Sequence, residues 1–118
     1  MVSQEFISKL LDVIGADPVL SNQTRLAIML ILLFRGVVTF SDLAKILNVS
    51  PSTLETHLSK LAEYGYIEKK KTLYNFSVRT IVKPTSIGIE KTLEYIRRLR
   101  VTLEEVVRSI EKKEVTTS

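Results

Sequence analysis

The chain has 118 residues, a formal net charge of +4 and no cysteine. That length can bury a core without staples, and the lack of thiols excludes disulfides, thiolate metal sites and thiol redox switching, which fits an intracellular protein. The longest apolar run, residues 26–34, has nine residues against the roughly 20 needed to span a bilayer, and no basic secretory flank opens the sequence, so one membrane-free, cytoplasmic domain over residues 1–118 is expected.

Charge placement says more than net charge. Residues 1–40 carry three charges of each sign, residues 41–83 carry seven Lys or Arg against four Asp or Glu, and residues 84–118 carry seven against six. The excess gathers at Lys69, Lys70, Lys71, Arg79 and Lys83, opposed within residues 65–83 only by Glu68, and its natural partner is a polyanion.

In residues 3–14, Phe6, Ile7, Leu10, Leu11 and Ile14 recur at helical spacing, and Gly15, Asp17 and Pro18 end the pattern. This N-terminal helix, within residues 1–18, cannot bury its stripe alone. Residues 19–83 then form the expected core. Ser21 is placed to cap a second helix whose apolar run reaches Phe34, and a helix apolar almost all round belongs between two layers. Ser21 and Arg25, at that helix's N-terminus, can hold a phosphate or serve as an internal cap and ion pair. After Gly36 and the β-branched pair Val37 and Val38, Thr39 with Asp42 three residues on forms a variant capping box. A short helix with Ser41 in its first turn follows through Leu43, Ala44, Ile46 and Leu47, and Asn48 can close it in a left-handed conformation.

Val49 alone separates this helix from the next start signal. The Ser50 hydroxyl can accept an orphan N–H, Pro51 suits the first helical position, and Gly65 supplies a stop. Leu54, Leu58 and Leu61 make a narrow inward stripe at about 100° per residue. Ser52, Thr56, Ser59 and Lys60 lie opposite, and with Ser50, Pro51 and Thr53 at the start they form a small, polar face fit for base edges and phosphates. Two helices joined by a tight turn, the second built this way, constitute a helix-turn-helix pattern. His57 sits at the border of the stripe, available either to DNA or to packing against the preceding helix. Glu55 lies off the outward centre, as a solvated flank or an acceptor for a cytosine amino group.

Residues 66–71 and 79–83 read as two short strands connected through residues 72–78, a wing of about residues 66–83. Its Lys69, Lys70, Lys71, Tyr74, Asn75 and Arg79 are candidate contacts to phosphates or an adjacent minor groove. The Lys triplet can equally be a solvated strand end, and Arg79 can pair with Glu68 across the hairpin.

Pro84 blocks backward continuation of a helix that Thr85 or Ser86 caps and that runs, within residues 85–114, for about 40 Å at ~1.5 Å per residue. Ile89, Ile96, Leu103 and Ile110 are spaced by seven, and Leu93 and Val107 add a second line broken by Arg100. Such a seam outlasts one small domain and needs a partner, with Phe6 and Leu10 of the first helix contributing to a homodimer interface.

The succession resembles the MarR/ArsR-type winged helix-turn-helix transcriptional regulators over about residues 19–100. The segments SNQTRLAIMLILL and TFSDLAKILNVSPSTLETHLSKLAEYGYIEKK, then Arg79-Thr80 and Thr85-x-x-Gly88, carry the resemblance. It implies a mainly α fold with a small β-hairpin, a winged helix-turn-helix flanked by N- and C-terminal dimerisation helices. It further implies a cytoplasmic, nucleoid-associated homodimer that binds a pseudo-palindromic double-stranded DNA site as a regulator, of the repressor kind. A low-specificity architectural DNA-binding protein and a winged-helix protein-interaction module are the competing readings. No Gly-rich phosphate loop or nucleophile elbow is present, and His57 is the sole histidine, so no enzyme, metal or cofactor is expected.

Overall fold

Side-chain caps open the first four helices of the computed structural model, which describes residues 3–117 apart from the side chains of Tyr74 and residues 114–117. In α1 (Gln4–Ile14) Ser3 accepts from the Phe6 N–H at 3.1 Å, and in α2 (Gln23–Arg35) Asn22 accepts from Arg25 N–H at 3.0 Å. Thr39 caps α3 (Phe40–Leu47) through Asp42 N–H, and Ser50 caps α4 (Pro51–Glu63) through Thr53 N–H. Asn22, not Ser21, is therefore the cap of α2. The reason lies upstream, where Asp17 Oδ1 accepts from Val19 and Leu20 N–H and the Ser21 N–H donates to the Asp17 carbonyl, so residues 17–21 form a turn of their own.

The helix-turn-helix closes as its residue types dictate. Asn48 takes the left-handed conformation (φ 53°) after α3. Gly65 (φ 78°) follows α4, with its N–H on Ala62 O and the Tyr66 N–H on Leu61 O, the two bonds of a Schellman motif.

The sheet has the order β1-β3-β2, from β1 (Val38–Thr39), β2 (Ile67–Tyr74) and β3 (Ser77–Pro84), all antiparallel. Val38 pairs with Val82 and Thr39 with Ile81, an edge strand of two residues, too short to show alternation. The wing strands run beyond the expected bounds: the connection is not residues 72–78 but the pair Asn75-Phe76, both at positive φ (51° and 65°), with Tyr74 facing Ser77. That is the dihedral signature of a type I′ hairpin turn, which Asn-Gly satisfies freely and a Phe only at a cost of roughly 1–2 kcal/mol.

The core joins Val19 and Leu20 of the turn, Ile28, Met29 and Leu32 of α2, Leu43, the α4 leucines, Tyr66, Ile67 and Val82 to Tyr95 of α5 (Ser86–Thr117). Helix α2 touches α5, α4 and β3, so it does lie between layers, but Phe34 near its end is 90% exposed and the all-round burial fails there. Helix α5 continues past residue 114 to Thr117, and at ~1.5 Å per residue its 32 residues span about 48 Å. Helix α1 lies antiparallel along it: Tyr95 OH donates to Ile14 O at 2.6 Å, and Lys9 pairs with Glu105 at 3.5 Å. Phe6 and Leu10 are half-buried on the stripe of Val13, whereas Ile7, Leu11 and Ile14 are the exposed apolar residues of α1. The outward stripe of α1 is thus the second of its two apolar lines, not the one containing Phe6 and Leu10.

Helix α5 starts against the end of α4. Thr85 Oγ1 donates to Gly65 O (2.6 Å) and accepts from Gly88 N–H (3.0 Å), while the Thr85 N–H donates to Tyr66 O (3.0 Å). A Cβ on Gly88 would lie 2.1 Å from Tyr66 O, so only glycine permits this approach.

Candidate nucleic-acid interface

Helix α4 is held by one face. Leu54, Leu58 and Leu61 have no exposed surface, and Ser52, Thr56 and Ser59 on the opposite side are exposed. Their hydroxyls make only short-range bonds: Thr56 to Ser52 O at 3.0 Å, Ser59 to Glu55 Oε1 at 3.3 Å, and Ser50 to Thr53 Oγ1 at 2.9 Å with Ser52 Oγ nearby. Each hydroxyl keeps a lone pair and can rotate towards another partner. The half-buried Lys60 stretches its ammonium over the Tyr64 ring, 5.3 Å from the centroid. Glu63 falls at the angle of Ser52 and Ser59 one turn further on and is exposed, so carboxylates border the hydroxyl face, Glu55 at its side and Glu63 at its end. Reading only the Leu stripe misses this boundary, although helical spacing contains it.

Glu55 is exposed on its flank and paired within the chain. Its carboxylate accepts from the Lys69 ammonium, which ties α4 to β2 and holds the carboxyl below its usual range, with Ser59 adding to the effect. Lys69 is correspondingly committed within the chain. Glu68 pairs with Lys83, its partner in the strand register, at 3.4 Å; Arg79 faces Thr72, so the Arg79–Glu68 alternative is not realised. Among the described residues Lys70, Lys71 and Arg79 make no ion pair. The register also separates them: Lys71 shares the face of Val82 and Thr80 that turns towards α4, and Lys70 and Arg79 share the other. A cleft of about 520 Å³, lined by Phe40, Glu55, Thr80 and the three lysines, runs between the start of α3, α4 and the wing. Asn75 is exposed at the tip, and the Tyr74 side chain lies outside the described residues.

Arg25 and His57 meet each other. The Arg25 Nε donates to Val19 O at 2.8 Å, Nη2 to Pro18 O at 3.4 Å, and Nη1 lies 3.4 Å from His57 Nδ1. Burial, and then the charge of Arg25, holds the His57 pKa below the ordinary histidine value, so the ring is neutral near pH 7 and can accept from the guanidinium. The pair pins α4 to the start of α2 and the turn before it, so the partner of His57 is on α2 rather than on the preceding helix α3, and Arg25 is held by backbone carbonyls rather than by an ion pair. Ser21 and Ser41 are both exposed, in the loop before α2 and in the first turn of α3.

Among the described residues no group of three or more His, Cys, Asp or Glu is arranged to hold a metal, and no helix is long and apolar enough to cross a membrane.

Residues 22–69 match the family model described as "Bacterial regulatory protein, arsR family". An uncharacterised protein of Methanocaldococcus jannaschii is 33% identical over 78 residues, 66% of this chain and 85% of the relative. Among solved structures, the transcriptional regulator homologue from Pyrococcus horikoshii superposes with a TM-score of 0.75 at 26% identity, covering 87% of this chain and 98% of that one. The YusO protein from Bacillus subtilis shares the fold at 16% identity, with a TM-score of 0.73 over 97% of this chain and 83% of that one. Five helices around a three-stranded antiparallel sheet, with α3 and α4 as the helix-turn-helix and β2–β3 as the wing, are the parts such regulators are made of. The chain belongs to the winged helix-turn-helix transcriptional regulators, with a helix-turn-helix of the arsR family.

Proposed function

We propose that this regulator is a homodimeric, sequence-specific double-stranded DNA-binding repressor. The observation that carries the reading is α4 itself, buried along one leucine stripe and presenting the hydroxyls of Ser52, Thr56 and Ser59 outward. In this reading the start of α4 (Ser50 to Thr53) and its hydroxyl face enter the major groove. Lys70, Lys71 and Arg79 take flanking phosphates, with Ser21 and Ser41 at its edge.

The dimer reading rests on α5. Leu103, Val107 and Ile110 are 46%, 51% and 52% exposed, and Ile96, Leu99, Leu103 and Val107 line a groove of about 570 Å³ along it. Burying that stripe, together with Leu93, Ile89 and the outer line of α1, against a second copy relieves its exposure to water. A two-fold dimer places its α4 helices on half-sites about 34–36 Å apart, hence on a pseudo-palindrome, and a site overlapping a promoter is then closed to the polymerase.

The test is competition at fixed salt between a duplex selected by the protein from a random pool and its scrambled counterpart, followed by transcription from a promoter carrying the selected site. A preference of roughly 10³ or more and a fall in transcript support the repressor. A preference near one supports the second reading, a low-specificity architectural protein. That reading draws on one observation: the outer face of α4 has no Arg, Asn or Gln to make a bidentate base contact.

A further inference from the structure

Beyond the Thr72–Arg79 pair the wing stops being basic. Leu73 and Val78 face each other across the hairpin and are 70% and 68% exposed, and Phe76 at the turn is 99% exposed. An aromatic side chain here occupies a left-handed position that a glycine or asparagine fills more cheaply, and no contact within the chain compensates. We propose that Leu73, Phe76 and Val78 form an apolar wedge that enters the minor groove beside the α4 site and partly unstacks a base step, kinking the duplex. This rests on the DNA-binding reading above and adds to it a mode of contact.

Three features select DNA as the occupant. The hairpin from Lys69 through Pro84 contains no carboxylate, and its unpaired Lys70, Lys71 and Arg79 stand directly inboard of the tip, where phosphates flanking an inserted side chain would lie. The reach also fits: six residues separate Lys69, tethered to Glu55 on α4, from the turn at Asn75. At ~3.3 Å per residue this is about 20 Å, close to the roughly 17 Å of half a duplex turn that separates a major groove from the next minor groove. Third, three side chains are far fewer than the roughly 20–30 residues per partner of a stable protein interface, but single Phe and Leu residues do suffice to wedge a base step. A wedge also gives α4, with its hydroxyl face, a second source of discrimination, because pyrimidine–purine steps unstack more easily than others.

The experiment uses the full chain and 40-base-pair duplexes that the unaltered protein selects from a random pool, with 2-aminopurine placed in turn at each flanking adenine. The expected result is a fluorescence rise at one flank position with the unaltered protein and none with Phe76→Gly. That variant, relieved of the left-handed cost of Phe76, should keep or raise its thermal midpoint, lose about tenfold or more in affinity, and leave the salt slope unchanged. Because the chain has no tryptophan, Phe76→Trp provides a single reporter whose emission should be quenched on DNA and be independent of protein concentration without it. Equal affinity and equal 2-aminopurine signals for Phe76→Gly overturn the wedge while leaving DNA binding intact. Concentration-dependent burial of the tryptophan without DNA also overturns it and assigns the tip to a second copy. Failure of the unaltered protein to select any duplex overturns the wedge and the DNA-binding reading together.

Discussion

Gly88→Ala isolates the junction on which the geometry of α4 depends. In an exposed helix this change stabilises by about 1 kcal/mol through helix propensity. Here the added carbon meets Tyr66 O at 2.1 Å, Tyr66 C at 2.8 Å and Tyr66 Cα at 3.0 Å, all backbone atoms that no rotamer change can move. Helix α5 must withdraw by about 1 Å to restore ordinary packing, a misfit in the range of ~1–3 kcal/mol for overpacking. The withdrawal stretches the bonds from Thr85 N–H to Tyr66 O and from Thr85 Oγ1 to Gly65 O, each with a net contribution of roughly 1 kcal/mol. Less the propensity gain, the expected loss is about 2–4 kcal/mol, read as a lowered urea midpoint at fixed protomer concentration and unchanged m-value. A variant as stable as the parent, or more so, would refute the close-approach reasoning.

Replacing Lys70 and Lys71 by Ala should weaken binding to every duplex alike and flatten the slope of log K against log salt by about 0.9 for each phosphate that is no longer neutralised; an unchanged slope removes the wing lysines from the interface. The folded-state pKa of His57 lies below the ordinary 6.5, so its contribution to stability is complete above that value and is lost as pH falls through the folded pKa. Glu55, depressed below 4.5, loses its contribution only in more acid solution. Between pH 7 and 5 the thermal midpoint should therefore fall for the parent and fall less for His57→Gln, and equal falls would assign the loss to other groups. Leu103→Glu puts a charge on the exposed stripe of α5 and should give monomers by light scattering, whereas a dimer that persists places the interface elsewhere.

The helix-turn-helix was legible because its signals are local. Thr39, Asn48, Ser50, Pro51 and Gly65 each act on residues within one turn of themselves, and the Leu54, Leu58, Leu61 stripe needs only helical spacing. Where two local signals compete, legibility fails: Ser21 and Asn22 are both good caps, and the choice falls to Asn22 because Asp17 draws the Ser21 N–H into an earlier turn. The wing tip was misplaced for a different reason, since Phe at positive φ violates the turn chemistry by which hairpins are recognised. Pairings across elements leave no spacing to read. Arg25 and His57 lie 32 positions apart and Glu55 and Lys69 14 apart, yet these two pairs decide which charged and polar groups remain for DNA.

Tyr66 shows why α5 and α4 cannot be treated as separate parts. Its carbonyl receives the Thr85 N–H at the start of α5, its N–H closes the end of α4, and the next residue begins β2. Its hydroxyl donates to Asp17 Oδ2 at 2.6 Å, while Asp17 Oδ1 holds the turn leading into α2; burial and this acidic partner push the Tyr66 pKa well up, so the phenol stays a donor. Tyr95, one face of α5 further along, secures the end of α1 through Ile14 O. The end of α4, the start of α5, the turn into α2 and the wing thus meet around Tyr66, with α1 tied in by Tyr95, through bonds to backbone and to a half-buried carboxylate that leave little room to pivot. The direction of α4 is consequently fixed relative to the axis of α5. Whatever surface pairs two copies of α5 therefore also fixes the separation of their two α4 helices, and with it the spacing of the DNA half-sites that both can engage.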